Sequence, residues 1–87
     1  MSMSVKDILN KYKWSPDLDA LHLQIYYISR ENGEEVHSVY LSDCDISSRG
    51  YIEFRNLEGE MVCIPFHRIE ELVYDEKVVW RRWVNDK

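Results

Sequence analysis

The apolar positions of this chain follow a helical period once, near the N-terminus, and then settle into the period of a strand. Val5, Ile8, Leu9 and Tyr12 recur at i, i+3, i+4 and i+7, one stripe of a 3.6-residue repeat. The spacing predicts a helix over 4–13. Ser4, with Asp7 three residues on, resembles a capping box with a shortened acid. Lys11 and Lys13 fall in the last turn, where the helix dipole favours cations, and Pro16 restricts Ser15 and marks the exit. A helix this short does not persist alone, so it has to dock on a sheet. Trp14 is expected to close one end of the core.

From residue 20 the period becomes two. Leu21, Leu23, Ile25 and Tyr27 alternate with His22, Gln24 and Tyr26, predicting a half-buried strand over 20–29. Asn32-Gly33 is a turn signal within a hairpin loop from Arg30 to Glu34. A second strand follows over 35–41, with Val39 and Leu41 inward. Residues 42–49, carrying Asp43, Asp45, Ser47 and Ser48, read as polar and irregular. A strand over 51–55 places Ile52 and Phe54 on one face. Asn56 to Gly59 turns the chain into a strand over 60–64, which Pro65 ends because it has no N–H for a ladder. His67 to Ile69 reads as a corner or single helical turn. Strands over 71–74 and 78–83 form a last hairpin around Asp75-Glu76-Lys77. Strands joined by such turns pair antiparallel. The expected fold is therefore α+β: an N-terminal helix packed on a curved, mostly antiparallel sheet or small open barrel of five to six strands, with 1–87 as one domain.

Composition agrees with a packed chain: 45% of residues are hydrophobic, 13% are aromatic, and three Gly and two Pro leave little for flexible tails. Apolar runs are short and broken by charge, and the first residues lack an apolar signal core, so a cytoplasmic protein with no membrane partner is expected. Cys44 and Cys63 are far apart with no C-x-x-C spacing, and read as two reduced, partly buried thiols. The net charge of −5 argues against sequence-independent binding along nucleic acid, which depends on Lys and Arg neutralising phosphates. The charge is uneven: residues 1–48 hold four basic and eight acidic side chains, and residues 49–87 seven and eight. A local anion site in the C-terminal half is compatible with that distribution.

The chemistry-bearing residues are few. His22 and His37, on adjacent strands of the predicted hairpin, could face each other, but no spacing supplies a third ligand, so no metal is expected. His67-Arg68 follows Pro65-Phe66 at the corner, where Phe66 and Ile69 would fix the backbone and aim His67 and Arg68 outward. The alternative is a cap in which Arg68 pairs with Glu70 or Glu71 and His67 bonds a backbone carbonyl. Arg81-Arg82 lies between Trp80 and Trp83. Strand alternation puts Trp80 with Arg82 on one face and Arg81 with Trp83 on the other, so a single arginine can share a face with a given site. Stacking and phosphate binding compete there with core filling by Trp80 and simple solubilisation. Arg30, Arg49 and Arg55 complete the cationic set, with Gly50 after Arg49 read as permitting close backbone approach. There is no Gly-rich phosphate loop and no nucleophile elbow. Paired carboxylates such as Glu70-Glu71 read as solvated surface. No catalytic residue and no cofactor is assigned, and binding is expected rather than catalysis.

The runs Arg49-Gly50-Tyr51-Ile52-Glu53-Phe54-Arg55-Asn56, Ile64-Pro65-Phe66-His67-Arg68-Ile69 and Trp80-Arg81-Arg82, with Gly59 between the first two, resemble the RNA cyclic group end recognition domain, a mostly archaeal family of small proteins. Ile8-Leu9-Asn10-Lys11 and Trp14 fit the same pattern, and the resemblance covers nearly the whole chain. It implies recognition of RNA ends that carry a 2′,3′-cyclic phosphate, in RNA processing or repair, alongside RNA-processing protein partners. The family's first hairpin often carries His-Arg-Gly. Here Ser29-Arg30-Glu31 keeps the arginine and lacks the histidine. A cyclic phosphate is a monoanion without free 2′ and 3′ hydroxyls, so its site needs donors, and Arg offers a planar fork. The resulting RNA-binding set is His67, Arg68, Arg55 and Arg82, with Arg81, Arg30 and Arg49 behind them and Tyr51 or a tryptophan to stack the terminal base. Two rival readings stand beside it. One is a phosphodiesterase acting on the same ends, which would need a second acid–base group such as His37 near His67. The other is a protein-interaction module that docks partners through a sheet edge and binds no RNA.

Overall fold

The computed structural model describes residues 4–30 and 33–82. Helix α1 (Val5–Trp14) starts as the sequence predicts, with the Ser4 hydroxyl accepting the Asp7 N–H at 3.2 Å. Val5, Ile8 and Leu9 are buried and Tyr12 packs at the margin of the core. The Lys13 ammonium reaches past the helix end and donates to the carbonyls of Leu41 and Cys44. Trp14 does not close the core: it is 74% exposed. It stands nine positions after Val5, and at about 100° per residue that is the opposite side of the helix.

The strands are β1 (Leu23–Ser29), β2 (Glu35–Tyr40), β3 (Asp45–Ser47), β4 (Tyr51–Arg55), β5 (Met61–Pro65), β6 (Ile69–Tyr74) and β7 (Lys77–Arg81). They form two antiparallel sheets with no closed barrel, one ordered β2-β1-β6-β7 and the other β3-β4-β5. The α+β class is as expected. The strand count among the described residues is seven rather than five or six. The addition, β3, lies in the stretch read as irregular, and the one apolar side chain of β3, Ile46, pairs with Ile52 and packs on the core. One residue in three is too weak a period to read. Leu9, Leu23, Ile25, Leu41, Ile52, Ile69 and Leu72 have no exposed surface and make the centre of a core shared by α1 and both sheets.

Other boundaries move for local reasons. Residues 20–22 are a 3₁₀ turn rather than strand, because the Asp19 carboxylate accepts the Leu21 N–H at 2.9 Å and caps it. Leu21 is consequently exposed and His22 leaves the ladder. Leu41 is buried as expected, but in a second 3₁₀ turn (Leu41–Asp43). The β6–β7 turn needs positive φ at Asp75 (49°) and Glu76 (69°), the geometry of a tight two-residue hairpin. Gly50 has φ +102°, and nothing lies within 4 Å of where a Cβ would stand. Its requirement is a left-handed turn between β3 and β4, not close backbone approach. Asn32 of the expected Asn-Gly turn, Glu31 beside Arg30, and Trp83 lie outside the described residues. No helix among those described is long and apolar enough to cross a membrane.

Candidate functional site

Pro65 ends β5 and Ile69 begins β6, so the 3₁₀ turn Phe66–Arg68 carries the chain from an edge of one sheet to the interior of the other. Fully buried Ile69 anchors its exit. The Phe66 N–H donates to the Gly50 carbonyl at 2.9 Å, joining the turn to the β3–β4 loop. Arg82 clamps the other side. Its Nε donates to the Ile69 carbonyl at 2.8 Å, its Nη2 to the Phe66 carbonyl at 2.6 Å, and its backbone N–H to the Glu70 carbonyl at 2.9 Å. The same guanidinium lies 5.3 Å from the centre of the Trp80 ring. Arg81 is turned away: Nε and Nη2 both donate to Glu71 Oε2, at 3.2 and 2.8 Å. The predicted split of the pair across two faces is therefore present, and Arg82 is the member at the corner.

Arg68 and His67 make neither contact of the cap alternative. Glu71 is occupied by Arg81, and the Arg68 side chain has no hydrogen bond or ion pair among the described residues. Its Nε is fully buried without an acceptor, although the side chain as a whole is only half-buried. His67 is exposed beside it.

A cleft opens between the β1–β2 hairpin and the β4–β5 hairpin. It consists of two joined cavities of about 540 and 850 Å³ that share Tyr27, His37, Phe54, Asn56 and Met61. Tyr27 is the hinge of its wall, with ring centres 6.0 Å from His37 and 5.8 Å from Phe54. The smaller half is lined by Arg30 and Arg68, with Glu60 and Cys63. The larger is lined by Tyr40, Arg55, and the carboxylates Asp43, Asp45, Glu53 and Glu58. Asp45 and Glu53 are direct cross-strand partners, a like-charge pairing that disfavours the local sheet.

The cationic set is thus only partly gathered. Arg30 and Arg68 meet at one half of the cleft. Arg30 lies 3.5 Å from Glu34, an exposed and therefore weak pair. Arg55 lines the other half, and its Nη1 donates to the Gly59 carbonyl at 2.7 Å within its own turn. Exposed Arg49 and half-buried Tyr51 flank Gly50, on the side where that residue bonds Phe66, and do not line the cleft. Sequence reasoning assigned Tyr27 and Phe54 to the core, correctly at 7% exposure each, and did not foresee that they also form a cleft floor. The Tyr27–His37 pairing is a register fact, and the approach of the two hairpins is a tertiary one. The first follows from the loop at 30–34, which sets Ser29 opposite Glu35 and so Tyr27 opposite His37; the second has no signal in a single sequence.

The remaining candidates separate. His22 and His37 do not face each other. His22, in its 3₁₀ turn, pairs through Nδ1 with Asp75 at 2.8 Å, while His37 sits opposite Tyr27 and pairs with Glu35 at 3.1 Å. No three His, Cys, Asp or Glu among the described residues are placed to hold a metal ion. Cys44 is buried as a free thiol donating to the Tyr40 carbonyl at 3.4 Å, and desolvation pushes it up to about 12 against the opposing pull of Lys13. Cys63, expected to be partly buried, is exposed because the alternation of β5 sends Met61 and Cys63 outward and Ile64 inward. Its thiol is raised by desolvation and by Glu53, which accepts its hydrogen bond at 3.6 Å.

Comparison with known proteins bears on this geometry. A "UPF0248 protein" of Archaeoglobus fulgidus is 36% identical over 74 residues, covering 85% of this chain and 99% of the relative. No solved structure matches. The model of a family described as the MJ1316 RNA cyclic group end recognition domain matches residues 3–82. A match of that extent spans α1, both sheets, the Pro65–Arg68 corner and the cleft, and the chain belongs to that family.

Proposed function

We propose that this protein is a binding module for RNA ends that carry a 2′,3′-cyclic phosphate, acting in RNA processing or repair. The observation that carries the reading is Arg68: a guanidinium set into a cleft wall, half removed from water, with no carboxylate or carbonyl among the described residues to receive it. A charged group in that state is costly, and a phosphate oxygen accepting from its outer N–H groups offsets the cost. Arg30 supplies a second fork in the same half. Together the two cavities have room for a nucleotide. The description of the family names the same ligand class.

In this reading Arg68 and Arg30 hold the terminal phosphate, and exposed His67 stays outside the cleft. Arg49 and Tyr51 meet a base or phosphate on the Gly50 side, and Arg55 meets the nucleoside in the far half. Arg82 acts by holding the corner, and Arg81 is held by Glu71 and contributes least. His67 lines neither half of the cleft, so nothing pairs it with His37, and the phosphodiesterase reading gains no support.

The test compares one short RNA with three ends: cyclic phosphate, linear 3′-phosphate and 3′-hydroxyl. The cyclic end is expected to bind tightest. Affinity is expected to fall with salt at a log–log slope of roughly −0.7 per phosphate neutralised. Equal affinity for all three ends would remove end recognition.

A further inference from the structure

The charge around the cleft is the reverse of a typical phosphate site. Arg30 and Arg68 are accompanied in their own half by Glu60, and the adjoining half adds Asp43, Asp45, Glu53 and Glu58 against Arg55 alone. Arg55 is already committed to the Gly59 carbonyl, and Arg30 is shared with Glu34. Among the described residues Arg68 is thus the guanidinium of the cleft left without a partner, while five carboxylates line the two joined halves. Such a field tolerates one negative charge and opposes a second. That difference separates two chemically close RNA ends. A 2′,3′-cyclic phosphate is a diester with one ionisable proton and carries −1. A linear 2′- or 3′-phosphate is a monoester that reaches nearly −2 at neutral pH, its second ionisation lying at pH ~6.

Resting on the RNA-end reading, we infer that the carboxylates lining this cleft select the cyclic phosphate over the linear one by charge, rejecting the dianion. Discrimination is then a repulsive device, aimed at the competitor, and not a gain in contacts to the ligand. It carries a pH signature that shape complementarity lacks. Above pH ~6 the linear end is largely dianionic and is rejected; below it the two ends carry the same charge. The other titratable groups facing the site are His37 from β2 and Cys63 from β5, together with Tyr27 and Tyr40. Histidine is the side-chain type that titrates in this range, so His37→Gln serves as the control.

The experiment measures affinity for the same RNA with cyclic and linear phosphate ends at pH 5.5 and 7.5, in the native chain and in Glu60→Gln, Glu53→Gln and His37→Gln. Thermal melting of each variant establishes that it is folded. The native chain is expected to prefer the cyclic end at pH 7.5 and to lose most of that preference at pH 5.5. Each carboxamide variant is expected to narrow the pH 7.5 ratio about fivefold by admitting the linear end. That is the effect of ~1 kcal/mol, the scale on which one unit charge acts on another a few ångströms away in water. His37→Gln is expected to keep the pH dependence. A preference of the same size at both pH values, or unchanged in both carboxamide variants, or a pH dependence lost with His37, would overturn the charge mechanism and leave end recognition standing. Failure to distinguish any end at pH 7.5 would instead remove the underlying reading.

Discussion

The two ends of β1 are treated differently. At its start, α1 and the 3₁₀ turn at Ala20–His22 cover the core, and the polar groups there find partners. Tyr12 and Tyr74 meet with ring centres 4.8 Å apart, the Asp19 N–H donates to the Tyr74 hydroxyl, and His22 pairs with Asp75. At its far end, Tyr27 to Arg30 run into a cleft where Arg68 has no partner among the described residues and Asp45 stands opposite Glu53. The closed end spends its side chains on holding the fold. The open end leaves charges uncompensated, and a site needs charges that the fold has not already used.

That contrast sets the order of expected effects. The largest lies at the closed end: Leu9→Ala, at a fully buried position between helix and sheets, is expected to lose ~2–5 kcal/mol in denaturant unfolding, enough to unfold much of so small a protein. Next is Arg82→Gln, which releases the Phe66 and Ile69 carbonyls and the Trp80 face. A loss of roughly 1–3 kcal/mol is expected, together with weaker RNA binding. If Arg82 acts by positioning, Arg68→Gln and the double variant should bind RNA equally weakly. Additive losses would place Arg82 on the ligand itself.

A third effect is pH-dependent. The folded Cys44 thiol is raised to about 12, above its value in the unfolded chain, so its contribution is complete below the unfolded value and declines as pH rises towards the folded one. Thermal midpoints from pH 8 to 11 should fall with a slope that Cys44→Ala reduces. The smallest effect is expected at Arg81→Gln: about 0–1 kcal/mol for a half-exposed pair with Glu71, and no change in RNA affinity. A large affinity loss there would move the site to the outer face of β7.

Most of the fold was legible because its elements are local. The Val5–Tyr12 stripe, the alternation through Leu23 to Tyr27, and the Asn56–Gly59 turn, where the Asn56 carboxamide oxygen accepts two backbone N–H groups, each carry their own signal. What could not be read is what depends on partners distant in sequence. Trp14 looked like core because it is large and apolar, and only its phase against the stripe says otherwise. The division into two sheets follows from where β5 turns into β6, not from any periodicity. The arginines were identifiable as a set. That Arg81 is neutralised, Arg82 is a clamp and Arg68 has no partner among the described residues depends on which carbonyls and carboxylates the fold brings to each.

The most direct test of the central claim is Arg68→Gln, measured for affinity to a cyclic-phosphate RNA across a salt series and for its thermal midpoint. Binding is expected to weaken at least roughly tenfold with the salt slope reduced by about 0.7, while the midpoint stays level or rises because an unsatisfied buried group has been removed. Unchanged affinity and slope in a folded variant would contradict the account.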